Sequence, residues 1–356
     1  MTDTEPADWP APRANAELLG HESVERELIA AAAGGRLPHA WLIAGREGIG
    51  KATLAFRFAR FLFAGSDSVD TLAIESSHPV FYRVASGGHA DLLTVERQFD
   101  EEKGKQRKDI AVDDVRRIAP FLHLTAAEGG WRVVIIDGAD GMNRAGQNAV
   151  LKILEEPPKG ALLLLVTERP SALLPTIRSR CRLLTLAPLS DSIVDGLIAR
   201  YSPQTDAAAR LRLAGLADGS IGRALDIAAN DGLVLLTQFL GLARGDPLDW
   251  PAAHAFSDKI STAAADESYR SFAQLLVDWL ARVARDLGKG DIVLSENELV
   301  AGEADMVRRL SEGGRLEQAV EVWEKVSRLF GRSDSANLDR RLTMISAFDT
   351  VSAALR

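Results

Sequence analysis

The stretch from Gly45 to Thr53 reads GREGIGKAT and is one letter short of a phosphate-binding loop. The pattern G-x-x-x-x-G-K-[ST] is filled from Gly45 through Gly50 and Lys51, and then Ala52 stands where a hydroxyl belongs. In such a loop the glycines let backbone N–H groups close around phosphates at the start of a helix. The Lys reaches the β- and γ-phosphates, and the Ser or Thr ligates magnesium. Gly45, Gly48, Gly50 and Lys51 are therefore candidate nucleotide-binding residues. Thr53 offers the nearest hydroxyl, but successive helical residues are turned by about 100°, so its oxygen is expected to point away from a metal.

The other half of a nucleotide site is an Asp at the end of a buried strand, and WRVVIIDGAD supplies Asp137. Hydrolysing enzymes with this pairing commonly place a Glu next, where it orients the attacking water. Here Gly138 follows, with no side chain to polarise anything. Asp140 reads as a helix cap or a structural hydrogen-bond acceptor rather than a replacement base. One defect lies in metal ligation and one at the catalytic carboxylate, on separate elements of a single reaction. The pair predicts a pocket that cradles ATP or ADP without cleaving it.

These residues need a sheet to hold them. The first half alternates apolar runs of strand length with helical patterns, the signature of a parallel sheet flanked by helices. Strands are predicted at Ala40–Ala44, Leu92–Val95, Arg132–Ile136, Ala161–Val166 and Arg182–Leu186. Four of the five are apolar on successive residues, as strands covered on both faces are. Helices are predicted at Ala16–Ala33, Lys51–Phe63, Val112–Leu122 and Asn143–Glu156, the last stopped by Pro157 and Pro158. Gly65–Ala90 reads as a loop or insertion, and Glu101–Lys108 as a solvated charge run. After Pro188 the strand signals end. The C-terminal third reads as all-helical, with Leu338, Leu342, Ile345, Phe348 and Val351 marking the core stripe of its last helix.

With 356 residues the chain is long enough for two or three domains. A net charge of -8 argues against coating nucleic acid through the overall field and leaves only local or borrowed contacts. The longest apolar run, Ala161–Val166, is far short of a membrane span. The acidic, Pro-rich N-terminus does not read as a signal peptide, so a cytoplasmic protein is expected. Cys181 is the one cysteine, and the six His are scattered, so no metal site is expected.

Six segments in fixed order carry a family resemblance: RLPHAWLIAG, the near-complete loop, IAVDDVRRI, VVIIDGADGMNRAGQNAVLKILEEPP, LLLLVTERPSALLPTIRSRC and GSIGRAL. Together they resemble the bacterial clamp-loader branch of the AAA+ ATPases, from about Gly20 to Leu225, and ANLDRRLTMISAF is similar to that family's C-terminal collar helix. The resemblance implies a five-stranded parallel AAA+ P-loop NTPase-like domain over residues 1–188, a small helical lid over 189–232 and an all-α collar over 233–356. It implies partners as well: gamma or tau and delta subunits of DNA polymerase III, the sliding clamp, and primed DNA reached through the assembled complex. It assigns Ser179, Arg180 and Cys181 to the arginine-finger motif, with Arg180 donated across an interface to ATP on a neighbouring subunit. A planar guanidinium there neutralises charge spread over the transferring phosphoryl oxygens. Cys181 reads as a packing residue.

The departures from the family are specific. Many relatives carry four zinc-binding cysteines where Gly65–Ala90 has none, so no zinc is expected. The lid motif G-S-x-R is present as Gly219, Ser220, Ile221 and Gly222, with Arg223 one position late. Thr167 matches the polar residue that contacts the γ-phosphate, and reads equally as an ordinary strand-end Thr. The leading expectation is a non-hydrolysing clamp-loader subunit that contributes Arg180 in trans. The alternatives are an active motor ATPase and a pure scaffold with an empty nucleotide site.

Overall fold

A computed structural model describes residues 9–355 except 36, 66–67, 101–104, 108, 129, 290–297, 312–315 and 337. The chain divides into two compact units, Met1–Ile193 and Val194–Arg356.

The first unit is built on β1 (Ala40–Ala44), β2 (Leu92–Val95), β5 (Arg132–Ile136), β6 (Ala161–Thr167) and β7 (Arg182–Thr185). They form one sheet in the order β2-β5-β6-β1-β7, every pair parallel. A short antiparallel pair, β3 (Phe99–Asp100) and β4 (Lys105–Gln106), lies outside it. Residues Lys105 and Gln106, expected in a solvated loop, are thus paired; 101–104 and 108 of that charge run lie outside the described residues.

The three central strands are buried along their whole length, which is why all but the terminal Arg132 and Thr167 are apolar. Each fully buried Leu, Ile or Val there contributes roughly 1.5–3 kcal/mol of transfer free energy. The two edges differ. β2 is half-buried, and β7 is exposed except at Leu184, because an edge strand has one flank open. One face of the sheet packs Trp41, Ile43, Val133, Ile135, Leu162 and Leu164 against the helices α1 (Glu22–Ala33) and α2 (Lys51–Ala64). The other face packs Leu42, Val134, Ile136, Leu163 and Leu165 against α4 (Val112–Arg116), α5 (Ile118–His123), α6 (Arg144–Glu155) and α7 (Pro175–Arg178).

Three expected helices are corrected. The first starts at Glu22 and not at Ala16, because the carbonyls ahead of it are claimed by α2. Arg57 donates to Ala16 O, and Arg60 donates to Arg13 O at 3.0 Å and to Asn15 O at 2.6 Å, which holds residues 13–16 as a strap. Val112–Leu122 is broken at Arg117, since Pro120 has no N–H to continue the ladder. Asn143 is the cap rather than the first turn of α6, its Oδ1 accepting from Gly146 N at 2.9 Å. The segment 65–90, expected as a loop, carries α3 (Pro79–Ala85), started by Pro79 at the first position and by His78, whose Nδ1 accepts from Val80 N.

The second unit is helical among its described residues: α8 (Asp191–Tyr201, shared with the first unit), α9 (Ala207–Leu216), α10 (Ile221–Ala229), α11 (Gly232–Ala243), α12 (Trp250–Ile260), α13 (Asp266–Lys289), α14 (Glu303–Ser311), α15 (Leu316–Ala336) and α16 (Arg340–Leu355). Its core includes four rings, with Phe239 and Phe256 touching each other and each touching Phe272 and Phe348 in stacked, tilted or edge geometry. The expected stripe of the last helix is corrected at its start: Leu338 and Leu342 are exposed, while Thr343, Met344, Ala347, Phe348, Val351 and Leu355 face inward. Among the described residues no single helix is long and apolar enough to cross a membrane.

Candidate functional site

The sheet order puts the ends of β5, β6 and β1 side by side, so Asp137, Thr167 and Gly45 share the carboxyl edge where parallel sheets bind ligands. Gly45 N donates to Thr167 O at 3.3 Å. The loop turns through Gly48, and Gly50 caps α2, whose first residue is Lys51. Lys51 is buried, and its ammonium donates to the Arg46 carbonyl across the loop. Burial pushes its pKa down, against the pull of Glu168 and Asp137. The loop therefore keeps its lysine inside the cradle, bonded to its own backbone.

Thr53 lies on the buried side of α2 and is only 6% exposed. Thr167 is fully buried; its hydroxyl donates to Asp140 Oδ1 at 3.0 Å and accepts from Arg169 N at 3.2 Å. Asp140 also accepts from Glu168 N at 3.3 Å and from Arg169 Nε at 3.3 Å. Burial alone would raise its pKa, yet these bonds, led by that of Thr167, carry it below the ordinary carboxylate range. Asp140 is thus a structural acceptor, an anionic clamp on the strand end and not a base. Asp137 is the opposite case. Burial, reinforced by the nearby Glu96, raises its pKa, while Lys51 and Arg97 draw it back.

Sequence reasoning missed Arg97. It follows β2, the strand beside β5, and its guanidinium lies against the turn that follows Asp137. A β-carbon added at Gly141 would stand 2.9 Å from Arg97 Nε and 3.1 Å from Nη2. Gly138, where the water-orienting Glu would be, has φ +73° and so lies in the left-handed region that a glutamate adopts only with strain. An arginine thus stands beside that turn, and the backbone at Gly138 has a shape that disfavours a side chain. Only the adjacency of β2 and β5 could have pointed to Arg97.

Arg180 lies well outside this loop cluster, in the turn after α7. Its backbone N–H donates to Ile177 O at 3.0 Å. Nη1 donates to Thr176 O at 3.0 Å, and Nη2 lies 3.0 Å from Glu155 Oε1 at the end of α6. The side chain is about one-third exposed. Neighbouring Cys181 is half-buried and packs on the α6–α7 face of the core, and burial pushes its thiol up to about 12. Gln147, another residue missed, ties these elements together: Nε2 donates to Met142 O and Ala172 O, and Oε1 accepts from Leu174 N at 2.8 Å.

In the second unit Ser220 caps α10, its Oγ accepting from Arg223 N at 3.1 Å. The Arg223 guanidinium is committed to Asp226 at 3.2 Å and Asp278 at 3.3 Å.

Residues 20–190 match a family described as DNA polymerase III, delta subunit. The chain is 37% identical over 190 residues to the DNA polymerase III subunit delta-prime of Pseudomonas aeruginosa, covering 52% of this chain and 55% of that one. It is 33% identical over 216 residues to the delta-prime subunit of Escherichia coli, covering 58% and 59%. It is 32% identical over 194 residues to the gamma/tau subunit of Mycobacterium bovis, covering 54% and 32%. The chain spans little more than half the length of the two delta-prime relatives. From residue 20 to residue 190, the stretch that holds the loop, the sheet and Arg180, this chain is similar to the DNA polymerase III delta-subunit family.

Proposed function

We propose that this chain is a delta-prime-type subunit of a DNA polymerase III clamp loader that does not hydrolyse ATP itself and lends Arg180 to ATP bound on a neighbouring subunit. One observation carries the reading. Gly138, which follows Asp137 where a water-orienting Glu would stand, has φ +73°, a left-handed backbone that a glutamate adopts only with strain. Arg180, by contrast, stands after α7, away from the chain's own loop, with its side chain about one-third exposed. The proposal includes gamma or tau and delta subunits as partners, the sliding clamp and primed DNA as what the complex works on, residues 189–232 as lid, 233–356 as collar, and the cytoplasm as location. It requires no zinc. Arg223, bound to two carboxylates of its own unit, is taken as structural rather than as a nucleotide sensor.

The chain's own pocket would hold ATP or ADP through the N–H groups of Gly45, Gly48 and Gly50, through Lys51, and through Asp137 and Thr167 beside them, with Thr53 facing inward. The bond from Lys51 to the Arg46 carbonyl favours a second reading, a scaffold whose loop is closed on itself. Titration with a fluorescent ATP analogue separates the two: saturable binding that Lys51→Ala abolishes supports the first, and no binding at high micromolar concentration supports the second.

The main test is reconstitution with gamma-type and delta subunits. The chain alone is expected to release no phosphate above background. Arg180→Ala is expected to lower turnover at the site it serves by on the order of 10³. Brisk turnover by the pure chain, or unchanged turnover in the Arg180→Ala complex, would reject the reading.

A further inference from the structure

We infer that Glu155 is a positioning residue for Arg180, holding the guanidinium in one orientation before it meets the neighbour's nucleotide. The inference rests on the trans role proposed above for Arg180. Arg carries five N–H donors in a planar fork. One Nη1 hydrogen goes to Thr176 O at 3.0 Å and one Nη2 hydrogen faces Glu155 Oε1 at 3.0 Å. Nε and the second hydrogen on each Nη stay available to phosphoryl oxygens. Two contacts in different directions fix a long side chain that would otherwise sample many rotamers, so less entropy is lost when it engages an anion.

Both anchors stand on rigid ground. Val150, Ile153 and Leu154 of α6 are buried in the sheet core, and so is Ile177 of α7. His39 Nε2 lies 3.2 Å from Leu154 O, which ties down the last turn of α6 one residue ahead of Glu155. Gln147 bonds the same helix to Ala172 and Leu174, just ahead of α7. The Glu155 and Arg180 backbones therefore cannot drift apart without breaking the core. A carboxylate at the C-terminal end of a helix faces the negative end of the dipole. Glu155 is disfavoured there by its own helix, and a facing cation offsets that penalty.

The test uses the full chain reconstituted with gamma-type and delta subunits, comparing native protein with Glu155→Ala, Glu155→Gln, Arg180→Ala and the Glu155→Ala/Arg180→Ala pair, each first checked for unchanged thermal unfolding. Glu155→Ala is expected to lower ATPase kcat about three- to tenfold with KM for ATP unchanged, the pattern of an interaction realised only in the transition state. Glu155→Gln, which keeps an acceptor, is expected to retain most of the rate. In the Arg180→Ala background the Glu155 change is expected to do nothing further. A rise in kcat would make Glu155 a latch that withholds the arginine and would overturn the inference. So would an unchanged rate, a change in KM alone, or an equal loss in the Arg180→Ala background. If Arg180→Ala is itself without effect, the trans-finger reading has failed and not merely the part given to Glu155.

Discussion

Arg97 rests against Gly141 so closely that a β-carbon there would stand 2.9 Å from its Nε, a distance real side chains do not keep. Nε is buried without a hydrogen-bond partner among the described residues, so contact with the turn and the field of the nearby carboxylates hold it. Gly141→Ala should force the guanidinium aside, and because that is the far end of a flexible side chain the cost should stay below about 1 kcal/mol. The measurement is the urea midpoint, with Arg97→Ala as control: in that background the Gly141 substitution should cost much less. Equal costs in both backgrounds would show that the arginine is not what the glycine accommodates.

The buried pair Glu25 and Arg57 is the second place where a small change should have a large effect. Nε and Oε1 are 2.7 Å apart, and both side chains are less than one-tenth exposed. Arg57 also holds the Ala16 carbonyl. Removing one partner strands the other charge inside the protein, so Glu25→Ala or Arg57→Ala should each cost about 3–5 kcal/mol. A Glu25→Ala/Arg57→Ala double variant should cost clearly less than the two single losses added together. Chemical denaturation of the four proteins closes the cycle.

Acid should weaken the first unit through its histidines. Burial pushes the pKa of His21 down, with the Ile49 carbonyl at 2.8 Å pulling the other way. Burial pushes His89 down as well, where it stacks on Phe63 with ring centroids 4.0 Å apart. With folded pKa values below the unfolded one, the unfolded chain binds more protons between the two. Stability is then complete above roughly pH 6.5 and falls as pH drops below that value. The urea midpoint should decline between pH 7 and pH 5, and a His21→Gln/His89→Gln variant should decline less over the same range.

Cys181 should be inert. With its thiol pushed up to about 12 by burial, only about one molecule in 10⁴ carries the thiolate at pH 8, and the thiolate is the nucleophile. Alkylation by iodoacetamide at that pH should run far slower than on the urea-unfolded chain. Equal rates in the two states would contradict the burial on which the expectation depends.

The sequence alone determined the sheet and the loop, because both are written in neighbouring residues. Strands buried on both faces are apolar on nearly every residue, so AWLIA, RVVII and ALLLLV were legible as the three central strands. The loop motif carries its mechanism in the spacing of Gly45, Gly50 and Lys51, and the defects at Ala52 and Gly138 are visible as letters. The strap that replaces the start of the first expected helix was not legible. Its carbonyls are taken by Arg57 and Arg60, roughly 40 residues away in sequence. For the same reason Arg97 against Gly141 and Glu155 beside Arg180 were decided only by the tertiary structure. A charge on a strand end or a helix end has no partner until sheet order and helix packing supply one, and in these two pairs that partner lies 44 and 25 residues along the chain.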